Sequence, residues 1–331
     1  MATVNIPVNP AVWQDYLAAQ ESSLPTLADV EDVTERVIRI MGGNPGEMQL
    51  QGTNTYLVGT GKSRILVDTG QVSMFISSPF NKYSLCDFKG IPIWANNIIA
   101  LMESRKLEIS HILLTHWHGD HTGGVPDLIT YDPRLASRVY KNQPSPGQLP
   151  IEDQQVFETE GATIRAIFTP GHAEDHMCFL LEEESALFTG DNVLGHGFSV
   201  AEDLGLYMRS LEIMGEQECE VGYPAHGVKI MQLPRTIKMY IRHKKQRERQ
   251  IFQALSKVVR DQTNLKGSLS TKQIVHSLHG EIPEELFKNA FEPFMLEALW
   301  KLAEERKVGF EISKSERKWF LNKRAWKSPS D

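Results

Sequence analysis

Cysteine is scarce in this chain: Cys86, Cys178 and Cys219 are widely spaced and form no Cys-x-x-Cys pair. An odd, scattered set gives no disulfide framework and fits a reducing compartment. No run of eighteen apolar residues occurs, so no helical membrane span is expected. The basic flank and apolar stretch of a secretory or mitochondrial leader are missing too. Glu21, Asp29, Glu31, Asp32 and Glu35 stand there instead, and the expected location is cytoplasmic. Internal repeats and low-complexity tracts are absent. What remains is an ordinary globular composition, 41% hydrophobic and 23% charged, over 331 residues. That length suggests a large domain plus a smaller appendage.

Hydropathy patterning divides the chain near residue 235. The first part opens with a helical lead-in over Pro10–Gln20 and a strand at Arg36–Ile40. Short apolar strands follow, with Thr55–Gly59 and Arg64–Asp68 reading as a hairpin. Gly61-Lys62-Ser63 resembles the end of a phosphate loop, but the motif's first glycine would have to stand at Tyr56, and a strand follows. A turn is the better reading. Residues 71–95 form a long irregular insert with Phe75, Phe80, Tyr83, Phe88 and Trp94. Those aromatics could wall an apolar entrance or simply pin the loop. A helix is expected over Ile98–Lys106, a buried strand at His111–Thr115, and a helix from about Thr122 with Pro126 in its first turn. Strands are expected at Thr163–Thr169, Cys178–Leu181, Ala186–Thr189 and Glu220–Tyr223, with a helix near Asp203–Met214. From Arg235 the pattern turns helical, with Ser270 or Thr271 as a cap and Pro293 interrupting an apolar-periodic stretch. Val308–Ile312 and Lys318–Leu321 close the chain as a hairpin, so residues 235–331 read as a small winged-helix-like module.

The net charge of -7 conceals an asymmetry. Between Arg235 and Arg260 nine basic residues stand against one acid, Glu248. Such a run is either a solvated helix face or a surface for an acidic partner, nucleic acid or acidic carrier protein.

The densest chemistry lies in His116-Trp117-His118-Gly119-Asp120-His121. Three imidazoles and a carboxylate so close would repel one another on protonation unless a divalent cation shares them. The expected strands extend the pattern. Asp68 ends one of them, and His172, Asp191 and His226 each follow another. Five strand ends therefore deliver a metal-type ligand or its supporter, as when ligands gather at one edge of packed sheets. Gly197-Phe198-Ser199-Val200-Ala201 is one residue from a nucleophile elbow, but its fifth position is Ala201. Ser199 is read as loop packing or pocket lining, His196 as pocket lining or a solvated loop residue. His176 is read as a support for the His172 loop.

His-x-His-x-Asp-His followed by distant Gly-His, Gly-Asp and Gly-His resembles the metallo-β-lactamase superfamily over about Asn54–Gly227. The resemblance implies an α/β fold, an αββα sandwich within residues 1–234, with a two-metal site at one edge. It implies that His116, His118 and His172 hold one ion, that Asp120, His121 and His226 hold the other, and that Asp191 bridges them. Asp68 would orient the histidine loop. The ions would be divalent, zinc first and manganese as the alternative. Two such ions roughly 3.5–4 Å apart lower the pKa of a bridging water enough to supply hydroxide near neutral pH, with Asp120 handling its proton.

The strings Gly52–Gly59, Glu160–Arg165, Thr169–Met177 and Gly190–Gly197 resemble one branch of that superfamily. It holds the animal β-lactamase-like endoribonucleases and the fungal thioesterases that release atrochrysone carboxylic acid from the acyl carrier domain of a polyketide synthase. Asp191-Asn192-Val193-Leu194-Gly195-His196-Gly197 and the 71–95 insert resemble the thioesterases more closely. That similarity implies an acyl carrier domain as partner; the basic run, with Arg242, Lys244, Lys245 and Arg247, could dock it or could equally grip RNA phosphates. Nucleic acid is a partner only under the alternative, an endoribonuclease acting on single-stranded RNA. A small-thioester hydrolase of the glyoxalase II kind shares the ligand set and is the remaining alternative.

Overall fold

The computed structural model describes residues 24–46, 49–71, 93–261, 267–313 and 315–322. The helix expected over Pro10–Gln20 and nearly all of the 71–95 insert lie outside the described residues. The chain separates into two units, the larger made of Leu24–Ser199 and Leu206–Ile237.

Two sheets build the larger unit. The first holds seven strands in chain order: β1 (Val30–Asp32), β2 (Val37–Met41), β3 (Asn54–Val58), β4 (Ser63–Val67), β5 (Glu108–Leu114), β6 (Val139–Lys141) and β7 (Leu149–Pro150). Pairing is antiparallel from β1 to β4 and parallel from β4 to β7. The second sheet runs β12-β11-β10-β9-β8, from β8 (Val156–Thr159), β9 (Ala162–Phe168), β10 (Met177–Leu181), β11 (Ala186–Gly190) and β12 (Val221–Pro224). Only β11 and β12 pair in parallel.

Why the first sheet's strands read as unbroken apolar runs is plain from their two faces. Val37, Tyr56, Ile65, Val67 and Leu113 pack with Ile164, Phe179, Phe188 and Tyr223 of the second sheet. The alternate residues Ile38, Ile40, Leu57, Leu66, Ile112 and Leu114 pack with helix α1 (Ile93–Arg105) through Trp94, Ile98, Leu101 and Met102. A sheet buried on both faces has no polar alternation to show. Trp94 belongs to this second core, which corrects its reading as an entrance wall. It is fully buried, and its indole N–H donates to Thr55 Oγ1 at 2.8 Å. A Cβ on Gly124 would come within 2.3 Å of the Trp94 ring, so the loop after the histidine cluster needs glycine there.

Strand direction gathers the site. The C-terminal ends of β4, β5, β9, β11 and β12 lie at one edge, where Met177 N donates to Thr115 O (2.8 Å) and Asn54 N to Ala225 O (2.6 Å) across the two sheets. After β5 the chain makes a single helical turn, α2 (Gly119–Thr122), then α3 (Val125–Tyr131), with Pro126 in its first turn. Helix α4 (Leu204–Glu216) precedes β12 and helix α5 (Leu233–Asp261) follows it.

The smaller unit comprises Val200–Gly205 and the chain from Lys238 onward. Helix α6 (Thr271–His279) starts in a reciprocal capping box between Ser270 and Gln273. A short turn of helix, α7 (Glu284–Leu286), leads to α8 (Glu292–Glu304), which carries Pro293 in its first turn. The closing hairpin of β14 (Val308–Ser313) and β15 (Glu316–Leu321) gains a third strand, β13 (Leu269–Ser270), in the order β13-β15-β14. No helix among the described residues is long and apolar enough to cross a membrane.

Lys244 corrects the expected docking set. It is 1% exposed, and its Nζ lies 2.6 Å from Glu297 Oε1, while Glu297 Oε2 accepts the Ala201 N–H. Arg247 is half-buried, its guanidinium 5.0 Å over the Phe294 ring. Neither side chain is presented to a partner; the exposed cations of the run include Arg242, Lys245 and Arg249. Removing one member of a buried ion pair strands the other charge. Lys244→Ala is therefore expected to destabilise the fold by about 3–5 kcal/mol, whereas Lys244→Met with Glu297→Gln, which removes both charges and keeps an acceptor for the Ala201 N–H, loses less. Urea unfolding midpoints of the two variants measure the difference.

Candidate metal centre

Several side chains at the gathered edge have one end tied down and the other turned inward. Asp68 follows β4 with a left-handed backbone (φ 58°), and its Oδ1 accepts the Thr115 N–H at 2.8 Å. Its Oδ2 lies 2.9 Å from His121 Nδ1, which donates to it, so Nε2 is the nitrogen turned inward. Thr115 Oγ1 lies 3.0 Å from His116 Nδ1, and Ser199 Oγ lies 3.2 Å from His172 Nδ1. His226 Nδ1 is 3.5 Å from Gly52 O.

The inward atoms form two groups. His116 Nε2, His118 Nδ1, His172 Nε2 and an Asp191 oxygen make the first; Asp120, His121 and His226 make the second. His118 Nδ1 stands 2.8 Å from His116 Nε2 and 3.2 Å from His172 Nε2. Asp120 Oδ2 is 3.4 Å from both His121 Nε2 and His226 Nε2. Asp191 faces both groups, with Oδ2 3.4 Å from His172 Nε2 and Oδ1 3.1 Å from His226 Nε2. His121 Nε2 and Asp191 Oδ1 are buried and make no hydrogen bond. Orphaned acceptors at ligand-to-ligand spacing, all from imidazole and carboxylate, are the donor set of a divalent cation. The residues fit two such ions.

Without metal the electrostatics divide along the same line. Burial, reinforced by the neighbouring His121, pushes the His116 imidazole well below its usual range. Burial also opposes charge on His121, but Asp191, Asp120 and Asp68 outweigh it and raise that imidazole well above its usual range. His226 is raised as well, because Asp191 overcomes its burial. Asp120 and Asp191 are both lowered against burial by the histidines facing them.

All seven expected ligand residues and Asp68 meet at this edge. Ser199 does not line an open pocket: it is 3% exposed and spends its hydroxyl on His172. His196 is half-buried beside Gly195, whose N–H donates to His226 O at 2.8 Å. His176 Nε2 accepts the Asp191 N–H at 3.1 Å, and its Nδ1 faces Thr169 Oγ1 at 3.1 Å. With both nitrogens engaged, it braces the Asp191 turn. A Cβ on Gly190 would stand 2.5 Å from His176 Nε2 at φ 50°, so that turn requires glycine. Thr53 escaped sequence reasoning: its hydroxyl lies 2.9 Å from Asp120 Oδ2, 67 residues away in the chain.

The profile of the metallo-beta-lactamase superfamily matches residues 49–134 and 129–226, the span that carries the whole cluster. The chain belongs to the metallo-β-lactamase superfamily. It is a metallo-hydrolase of that superfamily, with two His/Asp clusters that fit a binuclear metal site. It is 57% identical to the lactamase-like protein adaB of Aspergillus niger, over 95% of either chain. It is 51% identical to the atrochrysone carboxyl ACP thioesterase of Aspergillus chevalieri, over 96% of this chain and 97% of that one. A β-lactamase domain protein from Burkholderia ambifaria superposes with a TM-score of 0.68 at 16% identity, covering 92% of this chain and all of the other. At that identity the likeness is one of fold.

Proposed function

We propose that this chain hydrolyses the thioester joining a polyketide of the atrochrysone carboxylic acid type to an acyl carrier domain. The observation that carries the proposal is end-to-end identity of 51% with a protein named for that activity, in a chain that keeps the full donor set. We assign the chemistry to residues 1–234 and partner binding to residues 235–331. His116, His118 and His172 hold one divalent ion, Asp120, His121 and His226 the other, and Asp191 is shared. When bound, such ions supply hydroxide near neutral pH and polarise a carbonyl oxygen; zinc is the first choice and manganese the second. Asp120 accepts the attacking water's proton. A thiolate leaves without a strong general acid, so the site needs no further proton donor for this bond.

Substrate class follows from the rim. Trp117 is 52% exposed between two of these histidines, with its ring 4.5 Å from that of His118. An indole left in solvent beside the reacting centre suits a large planar acyl group. Arg242, Lys245 and Arg249 supply the cationic face for an acidic carrier domain. Reversing all three to Glu is expected to raise KM for the carrier-bound substrate by about tenfold and leave kcat unchanged. A simple N-acetylcysteamine-type thioester should show no change in KM; equal effects on both substrates would refute docking.

The deciding experiment assays purified protein on an acyl-carrier thioester and on single-stranded RNA, each with and without chelator. Release of acid from the first, abolished by chelator, with intact RNA, supports the proposal. RNA cleavage without release of acid would replace it by the endoribonuclease reading. Hydrolysis of glutathione thioesters alone would replace it by a glyoxalase II-like one.

A further inference from the structure

Asp120 sits in a single helical turn with no side-chain cap, so its backbone does not fix its carboxylate. What fixes it lies elsewhere. Thr53 is fully buried immediately before β3, and its carbonyl accepts the Gly42 N–H at 2.7 Å. Asn44, 4% exposed, meets Thr53 twice: its Oδ1 accepts the Thr53 N–H at 2.9 Å and its Nδ2 donates to Thr53 Oγ1 at 3.0 Å.

The proton positions follow by elimination. A backbone N–H can only donate, so the Asn44 atom facing it must be oxygen, and the atom facing Thr53 Oγ1 must be nitrogen. That nitrogen donates and fills one lone pair of the hydroxyl. The single proton of Thr53 is then left for its remaining neighbour, Asp120 Oδ2, at 2.9 Å. Asn44 Nδ2 keeps its second proton for Gln71 Oε1 at 3.3 Å. The chain of donors therefore has one direction, from Asn44 through Thr53 to Asp120.

We infer that Thr53 is a positioning residue that holds the Asp120 carboxylate toward His121 and His226, and that Asn44 sets the direction of its hydroxyl. This role rests on the assignment of Asp120 to the second metal group, but not on the identity of the substrate. A carboxylate oxygen that receives Thr53 on one side has its other lone pair aimed at the 3.4 Å gap shared with the two imidazoles. Loss of the Thr53 proton frees the carboxylate to rotate, and the second ion loses affinity while the first does not.

Three variants separate this from simple packing. Thr53→Val keeps the shape and removes the hydroxyl. Thr53→Ser keeps the hydroxyl and removes the methyl. Asn44→Asp still accepts the Thr53 N–H, but its carboxylate cannot donate, so it draws the Thr53 proton away from Asp120. Zinc equivalents per chain are measured after dialysis against graded chelator, with circular dichroism reporting the fold. Thr53→Val and Asn44→Asp are expected to release the second equivalent at roughly 10–100-fold lower chelator than wild type, the range for partners of metal ligands. The first equivalent should leave at the wild-type midpoint, and Thr53→Ser should match wild type throughout. Wild-type release from Thr53→Val, or equal losses from Thr53→Ser and Thr53→Val, overturns the inference. Should Thr53→Val not fold, the contrast between Asn44→Asp and Thr53→Ser decides the matter in the same way. Fewer than two equivalents in wild type would instead overturn the metal assignment itself.

Discussion

Asp191→Ala is expected to empty both metal positions and to lower hydrolysis by far more than the roughly 10–100-fold loss typical of a ligand's outer partner. The reason is geometric. Asp191 reaches both groups, with Oδ2 at 3.9 Å from His116 Nε2 and 3.6 Å from His121 Nε2, and Oδ1 at 3.1 Å from His226 Nε2. It also supplies the charge that keeps His121 and His226 raised. Its loss thus removes a shared donor and part of the negative charge that balances two dications. His118→Ala is the internal comparison. His118 stands with His116 and His172 in the first group, so about one equivalent should be lost and one kept. Metal analysis of the two purified variants reads the contrast directly. Two equivalents retained in Asp191→Ala, or identical losses in both variants, would show that Asp191 is not shared.

The ligand residues were legible because each follows a strand that announces itself. Ile112–Leu114 and Ala186–Phe188 are buried apolar runs and Ile164, Ala166 and Ile167 are buried in the strand between them, so the polar residues that follow each stand out. Short strands such as Val139–Lys141 and Val156–Thr159 carry too few apolar residues to do so, and the first is held in place by a strand some way back in the sequence, Glu108–Leu114. Charge misled at Lys244, since a basic run on a helix reads as a solvated face. Its compensating acid, Glu297, lies 53 residues away. Trp94 misled in the other direction: an aromatic beside an irregular insert reads as loop, whereas the last three residues of that stretch begin a helix that fills the core. Thr53 was invisible for a different reason. A threonine before a strand carries no chemical signature, and its role exists only because the start of β3 meets the histidine turn at the same edge.

Acidification should strip the two ions one after the other. In the metal-free protein the carboxylates facing His121 and His226 raise both imidazoles above the usual range, so each holds its proton more tightly than an ordinary histidine. An ion entering their group must displace those protons, and its affinity therefore falls as pH falls. Two displaced protons correspond to about 100-fold in affinity per pH unit below the raised values. His116 has the opposite sign. Its burial depresses the imidazole well below the usual range, so the nitrogen is already bare at neutral pH and no proton competes there until the solution is far more acidic. Lowering the pH from about 8 toward about 6 at a fixed, buffered zinc concentration should release the equivalent held by Asp120, His121 and His226 first. The equivalent held by His116, His118 and His172 should persist to lower pH. Bound zinc against pH should then show two steps, and His121→Ala should abolish the earlier one. A single step that removes both equivalents together would mean that the carboxylates do not divide the histidines as the geometry requires.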